Sequence, residues 1–150
     1  MKLAECLLLR AENRTKIFEL QQRILKNSKI QEDSKPLEDP NDLIASLLQL
    51  SDEQAALIAR INNANSVTKL KDGRSIIDAI VARDNLVAKR DALVGIVNNA
   101  TDQDYRLTRT EIKTVVLIDI PKLQKKIDGF AKDIRMLDVA IQELNWSTEI

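Results

Sequence analysis

The sequence predicts a mainly α fold of long antiparallel helices forming a helical bundle, with one short β element at about 105–118. Three observations favour this fold class. The 150 residues include only three glycines and three prolines, so little interrupts a helix. Leucine, isoleucine and alanine recur at intervals of three and four residues over most of the chain. One run, at 112–118, is instead rich in β-branched side chains, which is typical of a strand. The length suits a single domain, 1–150.

The first predicted helix, at about 2–30, has two adjacent apolar rows, wide enough to pack on more than one neighbour. One row is Leu3, Leu7, Arg14, Ile17, Gln21 and Ile24, and the other is Ala4, Leu8, Ala11, Phe18 and Leu25. A polar loop leads to Asp39-Pro40, where aspartate can cap a helix and proline suits its first turn. The second helix is therefore expected at about 40–65, with a restart or kink near Ser51, which begins a capping-box pattern.

The third helix is expected at about 75–99, after the turn signal Asp72-Gly73. Ser75 followed by Asp78 has the form of a capping box. A small hairpin that pairs 67–70 with 74–77 around Asp72-Gly73 is a competing interpretation.

The β element has its clearest part at 112–118, and 105–108 could pair with it. Two strands alone are marginally stable, so the element would need cover from helices or from a second subunit. The fourth helix is expected at about 120–143, and its apolar stripe is Leu123, Ile127, Phe130, Ile134, Leu137 and Ile141. Residues 145–150 form a tail.

Equal numbers of basic and acidic residues, 23 and 23, conceal an uneven distribution. Residues 1–30 hold seven basic and three acidic residues, whereas residues 31–60 hold two basic and seven acidic residues. This asymmetry predicts an antiparallel hairpin whose two helices attract each other. The alternative, a first helix that binds RNA, needs exposed basic residues with an aromatic partner. Phe18 is the only aromatic residue there and lies on an apolar row.

Composition excludes several classes of function. With no histidine, the chain lacks Ser-His or Cys-His nucleophile pairs and histidine metal ligands. No metal or cofactor is expected, no stretch is apolar enough for a membrane helix, and zero net charge argues against nucleic-acid binding. The single cysteine, Cys6, cannot form an intrachain disulfide, and the charged N-terminal segment does not have the pattern of a signal peptide. We therefore expect a cytoplasmic protein.

Polar residues within the helices give a candidate ligand-binding pocket. The amide cluster Asn62, Asn63 and Asn65 either ends a helix and fixes its register or contacts a ligand. Arg83 and Asp84 interrupt an apolar run, as solvent-facing residues or as charges that face the last helix. The hypothetical pocket consists of Asn62, Asn65, Arg83, Asp84, Arg135 and Asp138. Glu111 and Lys113 would share one strand face, which is either a site or a solvated surface.

The tail contains the only tryptophan, Trp146, next to Asn145. A loose tryptophan would leave a large apolar area in water. We therefore expect Trp146 and Asn145 to dock, either within the same subunit or on a partner.

Several segments together resemble the septicolysin-like family of small bacterial proteins. The resemblance rests on the following segments: Met1-Lys2-Leu3-Ala4-Glu5, Arg60-Ile61-Asn62 with Asn65 and Thr68, Asp78-Ala79 with Arg83-Asp84, Glu111-Ile112-Lys113, and Ile141 to Glu149. The family commonly has a small residue at the position of Leu144. The family label implies a cytolysin, although no catalytic residue follows from it.

The sequence supports three hypotheses about function. The first is a non-enzymatic structural or interaction protein that forms homo-oligomers, because broad apolar stripes need partners. The second is an enzyme or ligand-binding protein that uses the polar pocket. The third is the membrane-active protein implied by the resemblance. A small-molecule ligand, if there is one, is not identified by any motif.

Overall fold

The computed structural model describes residues 1–102 and 113–150. The described residues are mainly helical, with four helices: α1, Leu3–Asn27; α2, Pro40–Val67; α3, Ile76–Thr101; and α4, Ile120–Ser147. They divide into two compact units, one of Met1–Ser75 with Gln142–Ile150 and one of Ile76–Ile141. The mainly α prediction and the four helices are confirmed. The single-domain organisation stays a prediction.

Helix α2 begins where the local sequence dictates. The Asp39 side chain accepts a hydrogen bond of 2.8 Å from the Asn41 amide, and Pro40 occupies the first turn. The hydrogen bond from Asp39 gives a partner to one of the amides that a helix start leaves unbonded. Pro40 has a fixed backbone angle φ that already suits a helix. The helix then continues without a break through Ser51 to Val67. The hydroxyl of Ser51 donates to the Leu47 carbonyl, as in a helix interior, so the expected restart is wrong.

The first unit contains a hairpin of α1 and α2. The Gln54 side chain reaches the Arg10 carbonyl, while Asn27, at the end of α1, accepts from the Glu38 amide just before α2. Contacts that move in opposite directions along the two helices show that they are antiparallel. An ion pair between Arg23 and Glu38 also joins the basic segment to the acidic one.

The core of this unit is small and aliphatic. Leu3, Cys6 and Ile61 are fully buried, and the other buried apolar side chains are Ala4, Leu43, Leu57, Ala64 and Leu70. The ends of the described chain meet here, because the Leu3 amide donates to the Thr148 carbonyl at 2.9 Å. The Lys2 ammonium also lies 2.8 Å from a Glu149 carboxylate oxygen.

The connection between α2 and α3 is a tight turn. Gly73 has a φ of +87°, a conformation that other residues adopt only with strain. The Leu70 amide donates to the Arg74 carbonyl, and Lys69 forms a single antiparallel bridge with Ser75. The alternative prediction of a small hairpin is therefore wrong except for this one bridge. Helix α2 ends at Val67 before the turn, and α3 begins at Ile76 after it.

The second unit contains α3 and most of α4. Ile127, Ile134 and Ile141 are buried at seven-residue intervals along α4, so they lie on one side of the helix. On α3, Ile76 and Ala79 are buried. The predicted stripe of α4 thus corresponds to its buried side.

The predicted β element is wrong for its described part. Residues 113–118 have no strand, and Val115, Val116, Leu117 and Ile118 are exposed. β-Branched composition favours a strand only when another strand pairs with it. Residues 114–118 instead line a cavity of about 680 Å³ beside the last turns of α3. The rest of the prediction, 105–112, with Glu111, lies outside the described residues.

Candidate interaction surface

The two apolar rows of α1 have different environments. Leu3 of the first row and Ala4 of the second are buried, together with Cys6 and Asn13, which belong to neither row. The large side chains of the second row are exposed, with 64% of Leu8, 59% of Phe18 and 68% of Leu25 accessible to solvent. That the stripe of α1 packs on more than one neighbour stays a prediction. In the described chain Phe18 is exposed to solvent.

Helix α2 has a matching exposed row. Ile44, Leu48 and Ile58 are exposed and lie four and ten residues apart, a spacing that keeps them on one side of a helix. Leu48 is 61% exposed. The buried residues Leu43, Leu57 and Ile61 lie on a different side of α2. Each helix of the hairpin therefore has one buried stripe and one exposed row.

A groove between α1 and α2 brings together one residue of each exposed row, Phe18 of α1 and Ile58 of α2. It has a volume of about 760 Å³, and its lining residues are Arg10, Ala11, Arg14, Thr15, Phe18, Gln54 and Ile58. Because Phe18 and Ile58 belong to different rows and line one groove, the rows border a common surface. We call this surface the hairpin face and define it by Leu8, Phe18, Leu25, Ile44, Leu48 and Ile58.

The groove also contains two arginines without ionic partners. Among the described residues, Arg23, Arg74, Arg83 and Arg90 each contact a carboxylate. Arg10 and Arg14 form no ion pair within the same part of the chain. They are one helical turn apart, so their guanidinium groups can reach a common point in the groove.

Gln54 closes one wall of the groove. Its amide nitrogen donates a hydrogen bond of 3.0 Å to the Arg10 carbonyl. Its carbonyl oxygen is buried and has no hydrogen-bond partner in the described structure. A buried acceptor without a donor costs free energy, so this atom marks a place where a donor would be favourable.

The polar pocket predicted from the sequence falls into two parts. Asn62 is exposed and Asn65 half-buried, and both belong to the first unit. The other four residues belong to the second unit, where Arg83 contacts Asp84 at 2.8 Å and Asp138 at 3.1 Å. Arg135 is exposed and makes no ion pair with a described residue. The structure therefore joins Arg83, Asp84 and Asp138, and a ligand role for the six residues stays a prediction.

The charges around Arg83 stabilise its protonated form. A hydrogen bond to Asp84, together with the carboxylate of Asp138, raises the pKa of the Arg83 guanidinium. An arginine that is already positive at every ordinary pH gains no acid–base chemistry from this shift. The cluster has the features of an ion-pair network that links α3 to α4.

Trp146 belongs to the last turn of α4 rather than to a tail, because the helix continues to Ser147. Its side chain is 57% exposed, whereas the neighbouring Asn145 is buried. Docking of Trp146 on a partner stays a prediction. A second cavity, of about 320 Å³, lies nearby and is lined by residues from Arg60 to Thr68 and by Thr148, Glu149 and Ile150. The Arg60 guanidinium donates to the Ile150 carbonyl at its edge.

The described ranges hold neither a metal-binding cluster nor a membrane-spanning helix. Residues 1–102 and 113–150 contain no group of three or more cysteine, aspartate or glutamate side chains that could hold a metal ion. None of the four helices described there is long and apolar enough to cross a membrane.

Comparison with known proteins identifies the family. The profile of a family of unknown function, DUF6847, matches residues 10–150. The chain belongs to this family. A solved structure, described as a functionally unknown conserved protein from Corynebacterium diphtheriae, is 39% identical in sequence. The alignment covers 100% of this chain and 98% of the other, with a TM-score of 0.90. No curated protein matches the chain.

Membership of the DUF6847 family corrects one interpretation of the sequence. The resemblance to the septicolysin-like family is wrong. The matching family profile and the related structure both describe proteins of unknown function, and neither gives evidence of a septicolysin. Some of the segments that suggested it, such as Arg60-Ile61-Asn62, are short pieces of amphipathic helix, a pattern that recurs in unrelated proteins. Neither comparison gives evidence for an enzyme or a cytolysin.

Proposed function

We propose that the chain is a non-enzymatic helical interaction protein that forms a homodimer through its hairpin face. The observation that carries this proposal is the pair of exposed apolar rows on one side of α1 and α2. The two rows leave six large aliphatic or aromatic side chains in solvent: Leu8, Phe18, Leu25, Ile44, Leu48 and Ile58. Large contiguous apolar surfaces are typical of interaction sites.

Burial of this surface would drive association. Each square ångström of apolar surface removed from water contributes about 25 cal/mol. The rows follow two long helices, so the surface has the elongated shape that another helical hairpin fits. Two hairpins packed face to face form a four-helix bundle, a common architecture with a continuous apolar core.

Charge favours a second copy as the partner. Helix α1 has five basic and three acidic residues, whereas α2 has one basic and three acidic residues. In a twofold pair that places α1 of one copy beside α2 of the other, opposite net charges meet at both contacts. A surface that complements itself in this way is what a twofold dimer requires. The buried single cysteine, Cys6, suits a reducing compartment, so the proposal retains the cytoplasm.

Sedimentation velocity on two matched variants tests the proposal. Leu48→Glu places a charge in the hairpin face, and we expect the dimer fraction to fall at least about tenfold, because a charge would be buried among apolar groups. Leu37→Glu is the control, since Leu37 is exposed in the loop before α2 and lies outside the face. A Leu48→Glu variant that dimerises as well as the Leu37→Glu control would refute the proposed interface.

A further inference from the structure

We propose that the groove in the hairpin face is a binding site for a phosphate monoester attached to a planar ring. The ligand would place its phosphate between Arg10 and Arg14 and its ring against Phe18. All residues of the site belong to one copy of the chain, so ligand binding can be measured whether or not the proposed dimer forms.

The charge of the groove selects the anion. Arg10 and Arg14 contribute two positive charges and have no carboxylate partner among the described residues. A phosphate monoester carries close to two negative charges at neutral pH, so it balances the pair. Guanidinium groups also bind phosphate oxygens through two parallel hydrogen bonds, which fixes the orientation of the ligand. Because the arginines are four residues apart on one helix, a single phosphate can contact both.

Phe18 provides the contact for the ring. It follows Arg14 by four residues, so Arg10, Arg14 and Phe18 form one continuous ridge along α1. The side chain is 59% exposed and lines the same groove as the arginines. A ring stacked on an aromatic side chain gains about 1–3 kcal/mol in known complexes with bases. Because Phe18 is exposed, the basic helix α1 has an aromatic side chain beside its arginines on the surface.

Gln54 fixes one wall of the groove to α1. The hydrogen bond from its amide nitrogen to the Arg10 carbonyl fixes the side chain, so its buried carbonyl oxygen stays without a donor. The groove volume of about 760 Å³ accommodates the proposed ligand.

The groove also affects the proposed dimer. A second copy that covered the hairpin face would exclude water from Arg10 and Arg14. Buried charges are costly unless they are paired. An anion in the groove would remove that cost.

Isothermal titration calorimetry with three probes tests the site: a nucleoside 5′-monophosphate, inorganic phosphate and the nucleoside alone. We expect the monophosphate to bind most tightly, because only it has both the anion and the ring. The double variant Arg10→Gln with Arg14→Gln should bind the monophosphate at least about tenfold more weakly. Phe18→Leu should reduce its affinity to that of inorganic phosphate.

The control is the double variant Lys26→Gln with Lys29→Gln. It removes the same amount of charge from positions that do not line the groove, and we expect unchanged binding. The proposal is overturned if the monophosphate does not bind at millimolar concentration, or if the arginine variant and the lysine variant bind equally well. It is also overturned if the nucleoside alone binds as tightly as its monophosphate. Light scattering of the same samples reports the mass separately, so a monomer that binds the ligand would contradict only the proposed dimer.

Discussion

Arg23, in the last turns of α1, donates two hydrogen bonds to the carboxylate of Glu38, which lies just before α2. The two residues are fifteen positions apart in the chain and join the ends of the loop between the helices. Asn27 reinforces the same junction, because its side-chain oxygen accepts from the Glu38 amide at 3.2 Å. The junction therefore closes the loop end of the hairpin through both the side chain and the backbone of Glu38.

This junction predicts a specific dependence of stability on pH. Hydrogen bonding to Arg23 lowers the pKa of Glu38, so the ionised carboxylate is favoured in the folded protein. A lowered folded pKa stabilises the protein above the unfolded pKa, and the contribution is lost as pH falls from the unfolded pKa through the folded pKa. Glu38→Gln should therefore lower the midpoint of thermal unfolding slightly at pH 7 and flatten its decline at acid pH.

Thermal unfolding followed by circular dichroism between pH 7 and pH 3 measures this effect. Glu32→Gln is the control, because Glu32 is in the same loop and makes no ion pair with a described residue. Identical pH profiles for the two variants would contradict the role assigned to Glu38.

A second prediction compares two isoleucines on α2. Ile61 is fully buried, whereas Ile58 belongs to the exposed hairpin face. Ile61→Ala should lower the free energy of unfolding by about 2–5 kcal/mol, because it leaves a cavity in the core. Ile58→Ala, measured by urea unfolding at low protein concentration, should cost less than about 1 kcal/mol. Equal losses would show that the assignment of buried and exposed sides is wrong.

A third prediction concerns the start of α2. Asp39→Ala removes the acceptor for the Asn41 amide and should lower the free energy of unfolding by about 1 kcal/mol. Asp33→Ala, in the exposed loop before it, should change the free energy by less than about 0.5 kcal/mol. Urea unfolding of both variants provides the comparison, and equal values would argue against a capping role.

A fourth prediction uses two glycines with different backbone geometry. Gly73 has a φ of +87°, so Gly73→Ala should destabilise the turn between α2 and α3 by about 1 kcal/mol or more. Gly129 lies within α4 and has open space where a Cβ would be placed. Gly129→Ala should stabilise the protein by up to about 1 kcal/mol, because alanine favours a helix. If both substitutions shift the midpoint of thermal unfolding in the same direction, the backbone geometry of one glycine is not as described.

The fold could be predicted from the sequence where local chemistry determined the outcome. Asp39-Pro40 specifies a helix start through a side-chain acceptor and a fixed backbone angle, neither of which depends on distant residues. The spacing of Ile127, Ile134 and Ile141 likewise requires one buried side of α4. The apolar periodicity of α1 predicted a helix, but the buried Cys6 and Asn13 belong to neither of its predicted rows.

Features that depend on distant partners could not be predicted in this way. The β-branched run at 112–118 suggested a strand, but pairing requires a neighbour that the sequence does not identify. Periodicity also does not show which row of α1 is buried, so it could not predict that Phe18 is exposed. The ion pair between Arg83 and Asp138 was open to two interpretations, since helical spacing alone does not show which helices face each other.

The mass of the unmodified chain in solution tests the central claim most directly. Light scattering coupled to size exclusion, over a range of micromolar protein concentrations, measures it without a label. The proposed pairing of hairpin faces predicts a mass twice the 16.9 kDa of one chain. A mass of 16.9 kDa throughout that range would contradict it, because the exposed rows of α1 and α2 would then lie uncovered in solution.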